Sequence, residues 1–282
     1  MPFLPLRELI ATHVHDGQTI ALEGFTHLIP FAAGHEIIRQ RRRDLALVRL
    51  TPDIVYDQMI GAGCARRLTF SWGGNPGVGS LHRLRDAVER GWPRPLELDE
   101  HSHAGLAAAY AAGASGLPFG TLRGYAGTGL ARANAGNVRT VTCPFTGETL
   151  AAVRAVRPDV TILHAQRADR EGNVLITGIV GASREAAFAA RTLLVTVERV
   201  VDTLGAPMNA VVLPSWLVAG VAEVPGGAYP SYVQGDYHRD NAFYQAWDGI
   251  ARSRESFTAW MQRHVLGTSD HAAFLRSVGV AE

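Results

Sequence analysis

Short, nearly continuous apolar runs recur along the chain: TIAL at residues 19–22, LALVRL at 45–50, VTILHA at 160–165 and TLLVTV at 192–197. Runs of this length without alternation predict strands buried on both faces, as in a parallel sheet. Amphipathic stretches lie between them. In GSLHRLRDAVERGW (79–92), Leu81, Leu84 and Val88 recur at helical spacing while Arg83, Arg85 and Glu89 point elsewhere, and Ser80 stands where an N-cap belongs. In HAGLAAAYAAGASG (103–116), alanine favours a helix that can pack closely on a sheet. Strand then helix, repeated, predicts an α/β fold with an open, mainly parallel sheet flanked by helices.

The last part changes character. From VPGGAYPSYVQGDYHRDNAFYQAW (224–247) onward, aromatic and polar residues replace the β-branched runs, and helical patterns follow in AFYQAWDGIA and SFTAWMQRHVLG. This predicts a loop and a C-terminal helical extension wrapping the sheet or a partner. Tyr229, Tyr232, Tyr237, Phe243, Tyr244 and Trp247 read as aromatics available to an interface. No repeat or Gly/Ser/Pro-rich linker divides the chain, so residues 1–282 are expected to form one domain.

Composition narrows the function classes. Hydrophobic residues make up 47 %, yet no run approaches the roughly 18–20 apolar residues of a membrane span. The N-terminus lacks the basic start, apolar run and cleavage site of a signal peptide, so a soluble cytoplasmic protein is expected. Cys64 and Cys143 lack CxxC spacing, which suits a reducing compartment and two small core residues. Net charge is +1 and the basic residues are scattered, leaving no footprint for nucleic acid. The run RQRRRD (39–44) suits a solvated helix C-terminus. All 27 basic residues are arginine, so a phosphate loop that depends on lysine is excluded.

Three stretches carry candidate chemistry. SWGGNPGVGSLHRLRD (71–86) is a glycine loop between a predicted strand and helix, but its nearest dinucleotide match ends in His82 where glycine is needed. It can be a tight turn, or it can bring backbone N–H groups against a carbonyl or carboxylate. LELDEHSH (96–103) gathers polar groups at a predicted strand end, where open α/β sheets bind ligands. There Asp99 or Ser102 can cap the next helix, or Glu100 and His101 can line a site. Glu23 in IALEGFTH can be a base, a nucleophile or an anchor for an arginine. The HxH pairs His13/His15 and His101/His103 lack a third ligand, and no GxSxG elbow occurs, so neither a metal site nor a serine hydrolase is expected.

Taken together these stretches resemble the α subunit of class I CoA-transferases of the glutaconate type. The N-terminal signature of that family is followed by Asp16-Gly17, Gly24-Phe25 and Pro30, with Glu23 in place of the first glycine of a pair and Pro30 one position early. SWGGNPGVGSLHRLRDAVERGW, ELDEHSHAGLAAAYAAGASGLPF, RPDVTILHAQRADREGNVL and VPGGAYPSY extend the likeness over nearly the whole chain. Within the family, EGFTHLIP and FSWGGNPGVGSLHRLRDAVE look most like members acting on 3-oxoadipate.

The resemblance implies a heteromer in which a β subunit carries the nucleophilic glutamate and most of the CoA site. CoA passes from succinyl-CoA to a dicarboxylic acid, with no tightly bound cofactor. It also implies that Gly73, Gly74 and Asn75 face the partner's glutamate. His101, with Ser71 and Asn75, would contact the oxyanion, Glu100 or Ser102 would orient the acyl chain, and Gly24 and Phe25 would lie beside the CoA thioester. Two alternatives stay open: a related acyl-CoA hydrolase or decarboxylase, and a non-catalytic acid-binding protein.

Overall fold

The computed structural model describes residues 3–76 and 78–280, so Gly77 of the glycine loop lies outside the described residues. Each apolar run forms a strand. The strands are Thr19–Leu22 (β1), Leu45–Val48 (β2), Ala65–Phe70 (β3), Glu97–Glu100 (β4), Phe119–Leu122 (β5), Val138–Thr142 (β6), Thr149–Arg154 (β7), Val160–Asp169 (β8), Val174–Ile176 (β9), Thr192–Val201 (β10), Val211–Leu213 (β11) and Val218–Glu223 (β12). The helices are Leu6–His13 (α1), Phe31–Arg39 (α2), Ile54–Gly61 (α3), His82–Arg90 (α4), His103–Ala114 (α5), Gly129–Ala133 (α6), Ser183–Ala189 (α7), Asn241–Arg252 (α8), Arg254–Met261 (α9) and His271–Ser277 (α10).

Strands β4-β3-β2-β1-β8-β10-β12 run parallel in that order. The short antiparallel pair β9-β11 extends the sheet beside the end of β8. A separate antiparallel sheet, β5-β7-β6, follows α5. The chain steps outward from β1 to β4, then returns to the other side of β1 with β8. Strand order therefore reverses between β1 and β8, the type of crevice where open α/β sheets bind ligands.

Period-two alternation sorts the core into two layers. Ile20 and Leu22 of β1 and Leu45 and Leu47 of β2 face a layer formed with α1 to α4. Ala21 and Val48 face the opposite layer, with Leu106, Ala109 and Tyr110 of α5 and Ala186 of α7. Each such aliphatic side chain contributes about 1.5–3 kcal/mol when fully buried. The small residues of α5 allow the close approach expected of them: a Cβ on Gly105 would stand 2.0 Å from the Tyr125 hydroxyl.

The C-terminal helices pack on the same chain. Trp247 and Tyr244 are buried in the first layer, and Phe243 and Trp260 pack against it. Trp247 lies edge-on to Trp260 at 5.1 Å between ring centroids, and its Nε1 donates to Asp57 at 3.1 Å. The aromatics read as free for an interface are therefore partly or wholly internal, because their rings complete the core left open by α2 and α3.

Helix α4 also departs from expectation. Its N-cap is Leu81, and Ser80 makes no cap. Asp57 of α3 takes that role, accepting from the N–H groups of Arg83 and Leu84 at 2.8 and 2.9 Å. Arg83 is buried beside Asp86, and Val88 is exposed. The helix turns this charged pair inward because Arg252 and Arg254 meet it there: the Arg252 carbonyl accepts from Arg83, and Arg254 donates to Asp86. Cys64 is buried as expected, whereas Cys143 follows β6 in an exposed hairpin and is no core residue. Among the described residues, no helix is long and apolar enough to cross a membrane, and no group of three or more His, Cys, Asp or Glu could hold a metal ion.

Candidate functional site

The carboxyl ends of β1, β2 and β3 open into a cavity of ≈ 310 Å³. Phe25 and Thr26 follow β1, Arg49, Thr51 and Asp53 follow β2, and Trp72 follows β3; His103 starts α5, and Arg239 and Tyr244 come from the C-terminal segment. Pairing in register brings these strand ends together, since Ala21 lies opposite Val48 and Val48 opposite Thr69. The hydroxyl of Tyr56 on α3 ties them, accepting from Leu22 N–H at 3.0 Å and donating to the Val48 carbonyl at 2.7 Å.

The loop after β1 is strained. Thr26 and Leu28 adopt left-handed φ values of 64° and 54°, an uncommon state for β-branched or bulky residues and one that clusters at functional sites. Gly24 precedes it because a Cβ there would stand 2.5 Å from the Leu28 carbonyl. Phe25 projects to the cavity wall, and Gly24 offers its carbonyl to Arg49 at 2.9 Å.

Arg49 and Asp53 form a fully buried ion pair at 2.9 Å across one turn at the cavity floor. Glu23 lies off the cavity, with one carboxylate oxygen accepting from the Leu50 N–H and the Tyr110 hydroxyl, both at 2.9 Å. Burial pushes its carboxyl above the ordinary value, against the lowering effect of Arg49. It thus anchors β1 to the end of β2 and to α5.

The glycine loop is held at both ends. Ser71 Oγ donates to the Leu50 carbonyl at 2.6 Å. Asn75 is buried, and its Nδ2 donates to the Tyr244 carbonyl at 2.7 Å. Between them Trp72 folds over Gly74, whose Cβ would lie 2.7 Å from the indole, and Gly74 N–H donates to the Pro52 carbonyl at 3.2 Å. Gly73 is exposed, and its N–H has no partner among the described residues. The loop that resembled a phosphate cradle therefore holds the C-terminal segment against the strand ends.

At the end of β4 the two histidines separate. His103 lines the cavity. His101 is buried beneath it, Nδ1 at 3.0 Å from the Tyr125 hydroxyl and Nε2 at 3.3 Å from Asp99 Oδ1, beside a different, polar cavity with Asn137 and Arg154. Burial opposes charge on Asp99, but hydrogen bonds from His101, Asn137 and Thr69 hold its carboxyl below the ordinary range. Ser102 caps α5, its Oγ accepting from Gly105 N–H at 3.0 Å. The Glu100 side chain is exposed at the edge of the sheet, and its carbonyl accepts from Asn134. The strand-end cavity thus gathers Phe25 and the Trp72–Gly73 turn but not Ser71, Asn75, Glu100, His101 or Ser102.

Residues 4–224 match the coenzyme A transferase family. The chain belongs to that family. It is 65% identical to the α (A) subunit of 3-oxoadipate CoA-transferase from Pseudomonas knackmussii, over 96% of each chain. The crystal structure of glutaconate coenzyme A-transferase from Acidaminococcus fermentans superposes with a TM-score of 0.91 at 30% identity, covering 99% of this chain and 93% of that one. The decarboxylase AibA/AibB, in a variant with one cysteine replaced by serine, superposes with a TM-score of 0.80 at 30% identity, covering 93% and 98%. The expected transferase family and α/β architecture are therefore correct.

Three residues of the site escape sequence reasoning. His103 reads only as one half of an HxH pair, and strand parity decides which histidine faces the cavity. Arg49 has a signal: an arginine inside the apolar run LALVRL is costly unless paired, and Asp53 follows one turn later. Arg239 sits far away in sequence, and its only local signal is the HRDN turn whose Asp240 caps α8.

Proposed function

We propose that this chain is the α subunit of a heteromeric CoA-transferase that moves CoA from succinyl-CoA to 3-oxoadipate, giving 3-oxoadipyl-CoA and succinate. The observation that carries this reading is the 65% identity, end to end, to the corresponding subunit of a 3-oxoadipate CoA-transferase. The chain acts as one α/β unit, in the cytoplasm, beside a β subunit that supplies the nucleophilic glutamate. The carboxylates of this chain near the cavity suit that division, since Asp53 is paired with Arg49 and Glu23 is buried off the cavity. No tightly bound cofactor takes part; the CoA thioester is substrate.

The glutamate carboxylate attacks the succinyl-CoA carbonyl, forming a mixed anhydride and releasing CoA thiolate. The thiolate attacks the glutamyl carbonyl, leaving glutamyl-CoA and succinate. The acceptor's carboxylate then repeats the two steps in reverse order, regenerating the glutamate. Each step places charge on a carbonyl oxygen. The exposed Gly73 N–H is the donor we assign to it, a type of contact commonly worth about 3 kcal/mol. Ser71 and Asn75 hold the loop so that Gly73 and Gly74 face the partner's glutamate. Trp72, 43 % exposed at the rim, is covered by that partner. Ser102 and His101 act through the β4–α5 junction, Glu100 toward the partner, and Gly24 and Phe25 beside the thioester.

The test is turnover by the chain alone and co-expressed with its β subunit, using succinyl-CoA and 3-oxoadipate and following acyl-CoA products. Exchange confined to the complex is expected. Free CoA, or carbon dioxide, without exchange would favour the hydrolase or decarboxylase alternative, which the fold shared with AibA/AibB keeps in view. Binding of a small acid by the chain alone, with no turnover in any complex, would favour the non-catalytic alternative.

A further inference from the structure

Two guanidinium groups line the strand-end cavity, and their surroundings differ. Arg49 is fully buried and spent: Nη1 pairs with Asp53 at 2.9 Å and Nη2 donates to the Gly24 carbonyl at 2.9 Å. Arg239 forms no ion pair among the described residues. Its one hydrogen bond there runs from Nη2 to the Pro76 carbonyl at 2.9 Å. The guanidinium carbon lies 3.8 Å from the centroid of the Tyr244 ring, which fixes the plane of the group by stacking. Nε is buried without a partner, and Nη1 makes no hydrogen bond among the described residues. Counting the charged side chains that line the cavity, Arg49 and Arg239 against Asp53, leaves one positive charge uncompensated.

From this geometry we propose that Arg239 binds the far carboxylate of the acid acceptor, the one that does not become the thioester, and so selects dicarboxylic over monocarboxylic acids. This assignment rests on the functional reading above. A planar guanidinium held flat on an aromatic ring presents free N–H donors in a fixed fork, the arrangement that matches a carboxylate. Phe25, Ile29 and Trp72 line the same cavity with apolar surface for the methylene chain. Its size lies at the lower end of ligand pockets, about 300–1,000 Å³, which fits a short acid and leaves the bulk of CoA elsewhere. Arg239 also lies outside residues 4–224, the part matched by the family at large. A specificity device carried by the C-terminal segment leaves the shared transferase frame free to serve other acids.

The experiment compares 3-oxoadipate with 3-oxohexanoate, which has a methyl group in place of the far carboxylate, in the assembled αβ enzyme. For Arg239→Met the ratio of kcat/KM values, diacid over monoacid, is expected to fall about 50-fold, in the range of a charge-assisted hydrogen-bonded pair, chiefly through KM for the diacid. Arg239→Lys should keep part of the preference, because the charge stays and the fork is lost. A ratio within threefold of wild type in the Met variant would overturn the assignment and leave the transferase reading standing, since a merely structural loss lowers both acids together. If the wild-type complex transfers CoA to neither acid, the functional reading has failed. Calorimetric titration of that complex with adipate and with hexanoate then decides Arg239 by itself: a preference for adipate that disappears in Arg239→Met supports it, and equal binding by both proteins overturns it.

Discussion

The Tyr125 hydroxyl lies 3.0 Å from His101 Nδ1 and accepts the Ser102 N–H at 3.1 Å, so one phenol fixes both the buried imidazole and the first backbone donor of α5. Asp99 closes the chain on the other ring nitrogen at 3.3 Å. With Nε2 donating to Asp99, Nδ1 is the acceptor of the Tyr125 proton. His101 is thereby committed to holding the turn that carries His103 to the cavity.

His101→Ala should therefore act first on stability, lowering the unfolding free energy by about 2 kcal/mol, because Tyr125 and Asp99 are left with unsatisfied polar groups. Tyr125→Phe should cost about 1 kcal/mol, and the double variant less than the sum, since both break one network. Urea unfolding checks the stabilities, and turnover of the folded complex checks the role. A hundredfold loss of kcat in folded His101→Ala, with Tyr125→Phe near normal, would restore to the imidazole the oxyanion contact that the resemblance implied.

Breaking the Arg49–Asp53 pair is expected to be more damaging. Arg49→Met leaves the Asp53 carboxylate buried without its partner, and a loss of about 3–5 kcal/mol is the usual cost. Arg49→Met combined with Asp53→Leu removes both charges and should recover at least half of that. Thermal and chemical unfolding of the three proteins decides it. A double variant no more stable than the single one would show that the Arg49 contact to the Gly24 carbonyl, and not the ion pair, holds the floor of the cavity.

Asp57 supplies a pH dependence. Burial pushes its carboxyl up to about 6, outweighing the hydrogen bonds from Leu84, Trp247 and Arg83. The native state thus binds this proton more tightly than the unfolded chain, whose aspartates titrate near ~4. The contribution is fully present below about pH 4 and is lost as the pH rises through about 6. Relative to Asp57→Asn, which does not titrate, the wild-type protein should gain up to about 3 kcal/mol of stability on going from neutral pH to about pH 4. Denaturant midpoints of both proteins at several pH values across that window measure the difference. A gap that stays flat or narrows with acid rules the raised carboxyl out.

Much of the architecture was legible. TIAL is β1 residue for residue, and VTILHA and TLLVTV open β8 and β10. Unbroken apolar runs can be satisfied only by burial on both faces, so a parallel sheet followed from local pattern. The family signature around Gly24 and Phe25 was equally local, because the close approach to the Leu28 carbonyl admits no side chain there. What misled were residues whose partners lie far along the chain. Ser80 looked like a cap until Asp57 took the N–H groups of α4, and Arg83 looked exposed until Arg252 and Arg254 arrived from the C-terminal helices.

By itself, then, the amino-acid sequence determined the strands, the order of strand and helix, and the family, since each rests on the spacing of neighbouring residues. Tertiary structure alone decided which of His101 and His103 reaches the cavity, which arginine is left without a carboxylate, and that Asn75 holds the Tyr244 carbonyl. Those choices depend on strand parity at β4 and on the docking of residues 225–252 across the strand ends. Their physical basis is the satisfaction of buried polar groups, and a polar group is paired through space with whatever the fold brings to it, regardless of separation along the chain.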